Sequence, residues 1–168
     1  MIQGKWVAPG QALDEVSAVR MAVFGRGEDP LDAESWNCLI YQDGHAVAAG
    51  RIWWKGDAFW LGEIGVKPEC RGLGLGDLTL RLLLYKAQNH FAREVRLCCP
   101  PDVAGFFSRL GFRAVDPSKA ESGRTDTSSD DDVAQQSTGQ ETEMRIAGQD
   151  IDLDTCKNCS RINCPSRK

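Results

Sequence analysis

Residues 68–84, PECRGLGLGDLTLRLLL, place three glycines at alternate positions directly behind an arginine and directly ahead of a leucine-rich run. The stretch before them, DAFWLGEIGV, has the β-branched and aromatic content of a strand. The stretch after them, from about Asp77 to Phe91, carries Leu78, Leu82, Tyr85 and neighbouring leucines as the wide apolar face of a helix. A strand, a glycine turn and a long helix in that order restrict the chain strongly. The N–H groups at such a helix start and the positive end of its dipole suit an anion. Gly74 and Gly76 permit close approach of that anion, and Arg71 can add a charge-assisted contact. Asp77 in the first turn complements the same dipole. A dinucleotide fingerprint starting at Gly72 would need glycine where Asp77 stands, and no Gly-Lys-Ser/Thr of a Walker A loop follows. A plain flexible turn is the remaining alternative.

The other elements follow from local pattern. KWVAP reads as a short first strand. QALDEVSAVRMAVFG spaces Leu13, Val16, Val19 and Val23 as a helix face, with Arg20 on another face. RGEDPLDAES reads as a polar loop. Asp43-Gly44 separates two β-rich runs, a strong hairpin signal, and Lys55-Gly56-Asp57 marks the next turn. EVRLCCP is a strand, DVAGFFSRLG a shorter helix ended by Gly111, and FRAV another strand. From Asp116 to about Gln140 apolar residues almost vanish, which predicts a disordered insertion. ETEMRIAG resumes a strand pattern with Met144 and Ile146 on one face. The expected architecture is a single α/β domain with a mixed, mostly antiparallel central sheet flanked by helices. Its core spans 1–115, its final strand 141–150, and a tail too polar for the core 151–168.

Two of these segments resemble a known family. IGVKPECRGLGLGDLTLRLLL is similar to the central motif of the GCN5-related N-acetyltransferase (GNAT) superfamily, Val-x-Pro followed by Arg/Gln-x-x-Gly-x-Gly/Ala. LCCPPDVAGFFSRLGF resembles its second signature, an apolar strand followed by Phe-Tyr-x-x-Leu-Gly-Phe. VRMAVFGRGEDPLDAES and AVAAGRIWW resemble the first helix and a strand of the ElaA-like branch. The match spans nearly all of residues 1–115, and it implies the acyl-CoA N-acyltransferase fold. It also implies acetyl-CoA as cosubstrate, held where LGEIGV and VRLCC part. Amides around Arg71, Gly72, Leu73, Gly74 and Gly76 would bind the pyrophosphate. Main-chain groups of Ile64 and Val66 would pair with the pantetheine, and the Val66 N–H would polarise the thioester carbonyl in an oxyanion role. An amine of a small molecule or peptide would attack that carbonyl directly.

Glu63, on the strand beside the expected acetyl position, is the candidate general base. Alternation puts Glu63 and Gly65 on one face and Ile64 and Val66 on the other, and leaves open which face is wet. The family's proton donor to the thiolate, a tyrosine, is replaced by Phe107, which keeps only a cofactor-lining role. Pro100 replaces the polar residue usual at its spacing. Thiolate protonation then falls to water, Ser108 or Cys99. Trp36, Trp53, Trp54 and Trp60 could line an acceptor pocket, but strand aromatics more often pack across strands. His45 and His90 read as surface residues, and acidic loops favour a cationic amine.

Composition narrows the partners. A formal net charge of −4 argues against a nucleic-acid binder, and no apolar run approaches the length of a membrane span. MIQGKWVAPGQALDEV lacks the pattern of a secretory signal, so a cytoplasmic enzyme is expected, with a homodimer as its expected assembly. Seven cysteines, an odd number, point to reduced thiols. Cys38, Cys98 and Cys99 lie in apolar segments and read as small core residues. Cys156, Cys159 and Cys164 form C-x₂-C-x₄-C, half a zinc-knuckle spacing, open to zinc, an iron–sulfur cluster, a redox switch or free thiols. Basic neighbours Lys157, Arg161, Arg167 and Lys168 would lower those thiols' pKa. The competing functional class is a non-catalytic acyl-CoA-binding or regulatory module with a metal- or redox-sensing tail.

Overall fold

The computed structural model describes residues 1–116 and 141–153. The cysteine tail's Cys156, Cys159 and Cys164 and all but the first residue of the polar insertion lie outside them. The strands are β1 Ile2–Val7, β2 Trp36–Gln42, β3 His45–Lys55, β4 Ala58–Val66, β5 Glu94–Cys99, β6 Arg113–Ala114 and β7 Thr142–Ala147. The helices are α1 Asp14–Phe24, α2 Leu75–Asn89 and α3 Ala104–Arg109. All seven strands form one sheet in the order β1-β2-β3-β4-β5-β7-β6. Every neighbouring pair is antiparallel except β4 and β5. The expected mixed, mostly antiparallel α/β sheet is the observed one. No helix of the described residues is long and apolar enough to cross a membrane.

Turn chemistry sets the registers. Asp43 and Gly44 both adopt positive φ, 50° and 83°, the geometry of a two-residue turn that matches strand twist. α2 and α3 cover one sheet face, where Leu80, Leu83, Leu84, Leu97, Phe107 and Met144 join a single buried cluster. α1 covers the other face with Val16 and Val19 against Leu39 and Ala49. α2 seats closely because β3 offers Gly50 beneath it. A methyl there would lie 2.9 Å from both Leu83 Cδ1 and Thr79 Cγ2.

Several expectations need correction. α2 starts at Leu75 and ends at Asn89, because Gly74 caps it in the left-handed region and Phe91 leaves helical space with φ 55°. Arg20 is fully buried with Val16 and Val19, not on a separate wet face. RGEDPLDAES contains a 3₁₀ turn over Pro30–Ala33, capped by Asp29 and Asp32 on each other's backbone N–H groups. Cys38 and Cys99 are buried, but Cys98 is exposed, since β5 puts Val95, Leu97 and Cys99 inward and alternation turns Cys98 outward. The tail's first residues join the core after all. Ile151 is buried, Gln88 Nε2 donates to its carbonyl at 3.1 Å, and Arg81 Nη1 donates to the Leu153 carbonyl at 3.0 Å.

Gly148, just past β7, donates its N–H to the Arg93 carbonyl at 2.7 Å, and a methyl there would lie 1.8 Å from the Ala92 carbonyl oxygen. Backbone cannot yield as a side chain does. Gly148→Ala is therefore expected to destabilise by the upper part of about 1–3 kcal/mol, read as a lowered Tm. Gly105→Ala, in α3 where a methyl meets nothing within 4 Å, is the control and should hold Tm or raise it by about 1–4 °C.

Candidate active site

β4 and β5 pair in parallel from Phe59–Val95 to Leu61–Leu97, and there the ladder stops. β4 nevertheless runs on to Val66 and β5 to Cys99. The two strands thus part, leaving main-chain groups between them. Register shows which groups these are. Lys67 N–H donates to Val47 O at 2.9 Å, so the next pair, Ala48–Val66, is a non-hydrogen-bonded one. The N–H and C=O of Val66 therefore point away from β3, toward the opening. The carbonyl accepts a bond from Arg71 Nε at 3.2 Å.

The glycine loop lies at this opening. Gly72 and Gly74 both have φ 79°, and a methyl at either would meet nothing within 4 Å. Gly76 sits in the first turn of α2, where a methyl would lie 3.6 Å from Val66 Cγ2 and 3.7 Å from Phe106. The start of α2, Val66 and Phe106 thus converge. Leu73 and Arg71 are exposed, and beside them Lys67, Cys70 and Leu73 line an open depression of about 470 Å³. A bare, glycine-lined helix start beside an unpaired strand amide fits a long, phosphate-bearing ligand with an amide-rich arm.

Glu63 stands where β4 is irregular. One residue of β3, Gly50, faces two of β4, Glu63 and Ile64, between the pairs Arg51–Gly62 and Ala49–Gly65. Glu63 has φ 51°, a conformation costing a side-chain-bearing residue about 1–3 kcal/mol. The bulge decides the faces. A methyl at Gly62 would lie 3.1 Å from the Trp53 ring, and one at Gly65 would lie 2.7 Å from Val23, so both face α1. Ile64 and Val66 face α2. Glu63 joins the α1 side, because its Oε1 accepts from Arg26 Nη2 at 2.7 Å. The Glu63 side chain is 9% exposed and its Oε2 is buried without a partner. The bond to Glu63 raises the Arg26 pKa, and Asp29 and Glu141 add to the same field.

The loop that carries Arg26 is anchored by a buried charge network. Arg20 makes a two-pronged bond to Asp32, 2.6 and 2.9 Å, and donates to Asn37 Oδ1 at 2.6 Å. Arg51 reaches Asp29 at 2.7 Å and Asp32 at 3.3 Å, and its guanidinium lies 5.2 Å from the Trp53 ring centroid. Burial opposes the Asp32 charge, but the bonds from Arg20 and the Asp29 N–H outweigh it and bring its pKa down to about 2.

Phe107 is almost wholly buried, packed edge-on to Phe106 and Phe112, and offers no proton. The half-buried aromatic that the structure brings to Gly76 is instead Phe106, which sequence reading passed over. Cys99 is directed to Met144, with its Sγ 3.7 Å from the sulfur, and burial pushes its thiol pKa up. Cys98 faces out, its thiol pushed up to about 11 by burial and by Glu143 and Glu141. Ser108 is exposed on α3. Trp53 stacks on Trp60 at 6.5 Å and Trp54 meets Phe59 edge-on, as expected of cross-strand pairs, while Trp36 covers Lys86 on the α2 side. His45 and His90 are exposed. Among the described residues no cluster of three or more His, Cys, Asp or Glu could hold a metal ion.

Parted parallel strands, a glycine loop opening the following helix and a seven-stranded mixed sheet define the acyl-CoA N-acyltransferase fold. Residues 34–114 match the family described as "Acetyltransferase (GNAT) domain". An acyl-CoA N-acyltransferase from Pseudomonas aeruginosa superposes with a TM-score of 0.67 at 18% identity, covering 88% of this chain and 100% of that one. Escherichia coli ElaA gives 0.64 at 20%, covering 86% and 99%. Serotonin N-acetyltransferase 2, chloroplastic, of Oryza sativa subsp. japonica is 36% identical over 55 residues, 33% of this chain and 27% of the rice protein. The match thus spans about a quarter of that relative's length.

Proposed function

We propose that the chain is an acetyl-CoA-dependent N-acetyltransferase that moves an acetyl group directly onto a primary amine of a small molecule or peptide. The observation that carries this reading is the parting of β4 and β5 beyond Leu61–Leu97, with the Val66 N–H turned into the gap. The match of residues 34–114 to an acetyltransferase family supports the acetyl group, and a similar fold named for acyl-CoA supports the carrier.

Each residue has a chemical task. Amides of Arg71, Gly72, Leu73, Gly74 and Gly76 hold the pyrophosphate at the positive end of α2. Main-chain groups of Ile64 and Val66 align the pantetheine as an added strand, and the Phe106–Phe107 pair closes the apolar wall beneath it. Acetyl-CoA, when bound, supplies the acetyl group as a thioester. The Val66 N–H steadies negative charge on its carbonyl oxygen, a contact commonly worth about 3–4 kcal/mol. Glu63 accepts the proton that the amine must lose, directly or through water. A C–N bond forms, the C–S bond breaks, and the thiolate takes its proton from water. Neither Phe107 nor the raised Cys99 thiol is a useful donor, and a thiolate leaves passably without one. Nothing in the described residues favours the non-catalytic alternative.

Calorimetry with acetyl-CoA and thiol release with a panel of amines test the reading. Gly74→Trp should abolish binding, because its side chain fills space that is open in the free protein, at a cost to the fold of about 1–2 kcal/mol from its positive φ. Gly74→Asn, tolerant of the left-handed region, should bind more tightly than the tryptophan variant. Unchanged acetyl-CoA affinity in Gly74→Trp would count decisively against the pyrophosphate assignment.

A further inference from the structure

Arg26 is a guanidinium bonded to Glu63, the residue to which the proposed reaction must bring an acceptor amine. It follows α1 between Gly25, φ 69°, and Gly27. Only its Nη2 is bonded to Glu63, and its side chain is 65% exposed, so most of the donor fork faces solvent. The acidic groups that act on Arg26 besides Glu63 are already engaged: Asp29 by Arg51, and Glu141 has interactions of its own. An ammonium brought to Glu63 therefore comes within a few ångströms of a second cation, and like charges at that range repel. An acceptor that carries its own carboxylate removes the conflict. Its carboxylate takes the open N–H groups of Arg26 in a bidentate pair. Its amine is then delivered beside the Glu63 carboxylate, whose buried Oε2 lacks a donor.

We propose that Arg26 is the acceptor's carboxylate receptor, and that the acceptor class is amino acids and related amines bearing an anionic group close to the amine. This rests on the N-acetyltransferase reading above. It assigns Arg26 to binding, with Glu63 kept for proton transfer. It also disfavours polyamines and plain cationic amines, in contrast to what the acidic composition suggests. The Trp53 ring over Gly62, stacked on Trp60, supplies an apolar wall on the same face.

The test uses matched trios for phenylalanine, methionine and lysine: the free acid, its carboxamide and the decarboxylated amine. The carboxamide has the least basic amine of each trio, so a preference for the acid over the amide cannot arise from easier deprotonation. Wild type should favour the acid by about tenfold or more in kcat/KM, the range of a charged hydrogen bond. Arg26→Ala should erase that preference, with the acid losing about tenfold more in kcat/KM than the amide or amine and the loss lying in its KM, and Arg26→Lys should restore part of it. Equal or better turnover of amide and amine by the wild type overturns the proposal and leaves the N-acetyltransferase reading standing. An acid preference that survives in Arg26→Ala also overturns it. No turnover of any member, with acetyl-CoA bound, removes both together.

Discussion

Asp32→Ala is expected to cost the fold about 3–5 kcal/mol, the usual penalty for breaking a buried ion pair from one side. The carboxylate accepts from Arg20 twice, from Arg51, from Asn37 Nδ2 and from the Asp29 N–H. Its removal strands the Arg20 guanidinium at 0% exposure with Asn37 as its remaining partner. Arg51 keeps Asp29 and suffers less. Urea unfolding at neutral pH should show the midpoint falling with little change in slope. A double variant, Arg20→Met with Asp32→Ala, should be more stable than Asp32→Ala alone, because the stranded charge has gone. If the double variant is the less stable, the penalty is packing and not charge. The pH dependence has a definite sign. The Asp32 pKa is depressed to about 2, so its contribution is complete above the ordinary carboxylate range of about 3.9 and is lost as pH falls toward 2. The gap between wild type and Asp32→Ala should be constant near neutrality and narrow across that acid window.

Glu63→Gln should lower kcat by about 10²–10⁴-fold for every acceptor, with acetyl-CoA affinity little changed. Glutamine retains an oxygen for Arg26 but cannot take the amine's proton. The contrast with Arg26→Ala is diagnostic, since that change falls chiefly on the KM of acids. Single-turnover acetylation separates the chemical step from binding. A Glu63→Gln enzyme with kcat within threefold of wild type would end the base assignment, and proton loss would then fall to bulk water.

Much of the fold was legible because its signals are local. Asp43-Gly44, the β-rich runs of β2 to β4 and the glycine-capped start of α2 each act within a few residues. Glu63 and Val66 are legible through the resemblance; the structure turns the Val66 main chain toward the gap beside β4 and sets Glu63 on a bulge against Arg26. The charge network was not legible. Arg20 reads only as a residue on another face of its helix until Asp32 and Asn37, 12 and 17 positions away, are brought beneath it. Arg26 has no sequence signal beyond its flanking glycines, since its partner is 37 residues distant. Cys98 was misjudged for a simpler reason. Strand alternation, applied to Val95, Leu97 and Cys99, would have turned it outward. Phe106 and Phe107 are adjacent on a short helix, so pattern alone could not say which one meets Gly76.

The irregularity in β4 has a consequence for what the site owes to the scaffold. With Glu63 removed on paper, Gly62, Ile64, Gly65 and Val66 would oppose Arg51, Gly50, Ala49 and Ala48 one for one. Each of them would keep the face it now has. Glu63 is thus a supernumerary residue of the ladder, inserted between two halves of a strand that already agree. The sheet has no use for it, and its backbone is held in an unfavourable region to keep it there. What the insertion adds is a carboxylate on the α1 side of the sheet, tied to Arg26 across 37 residues.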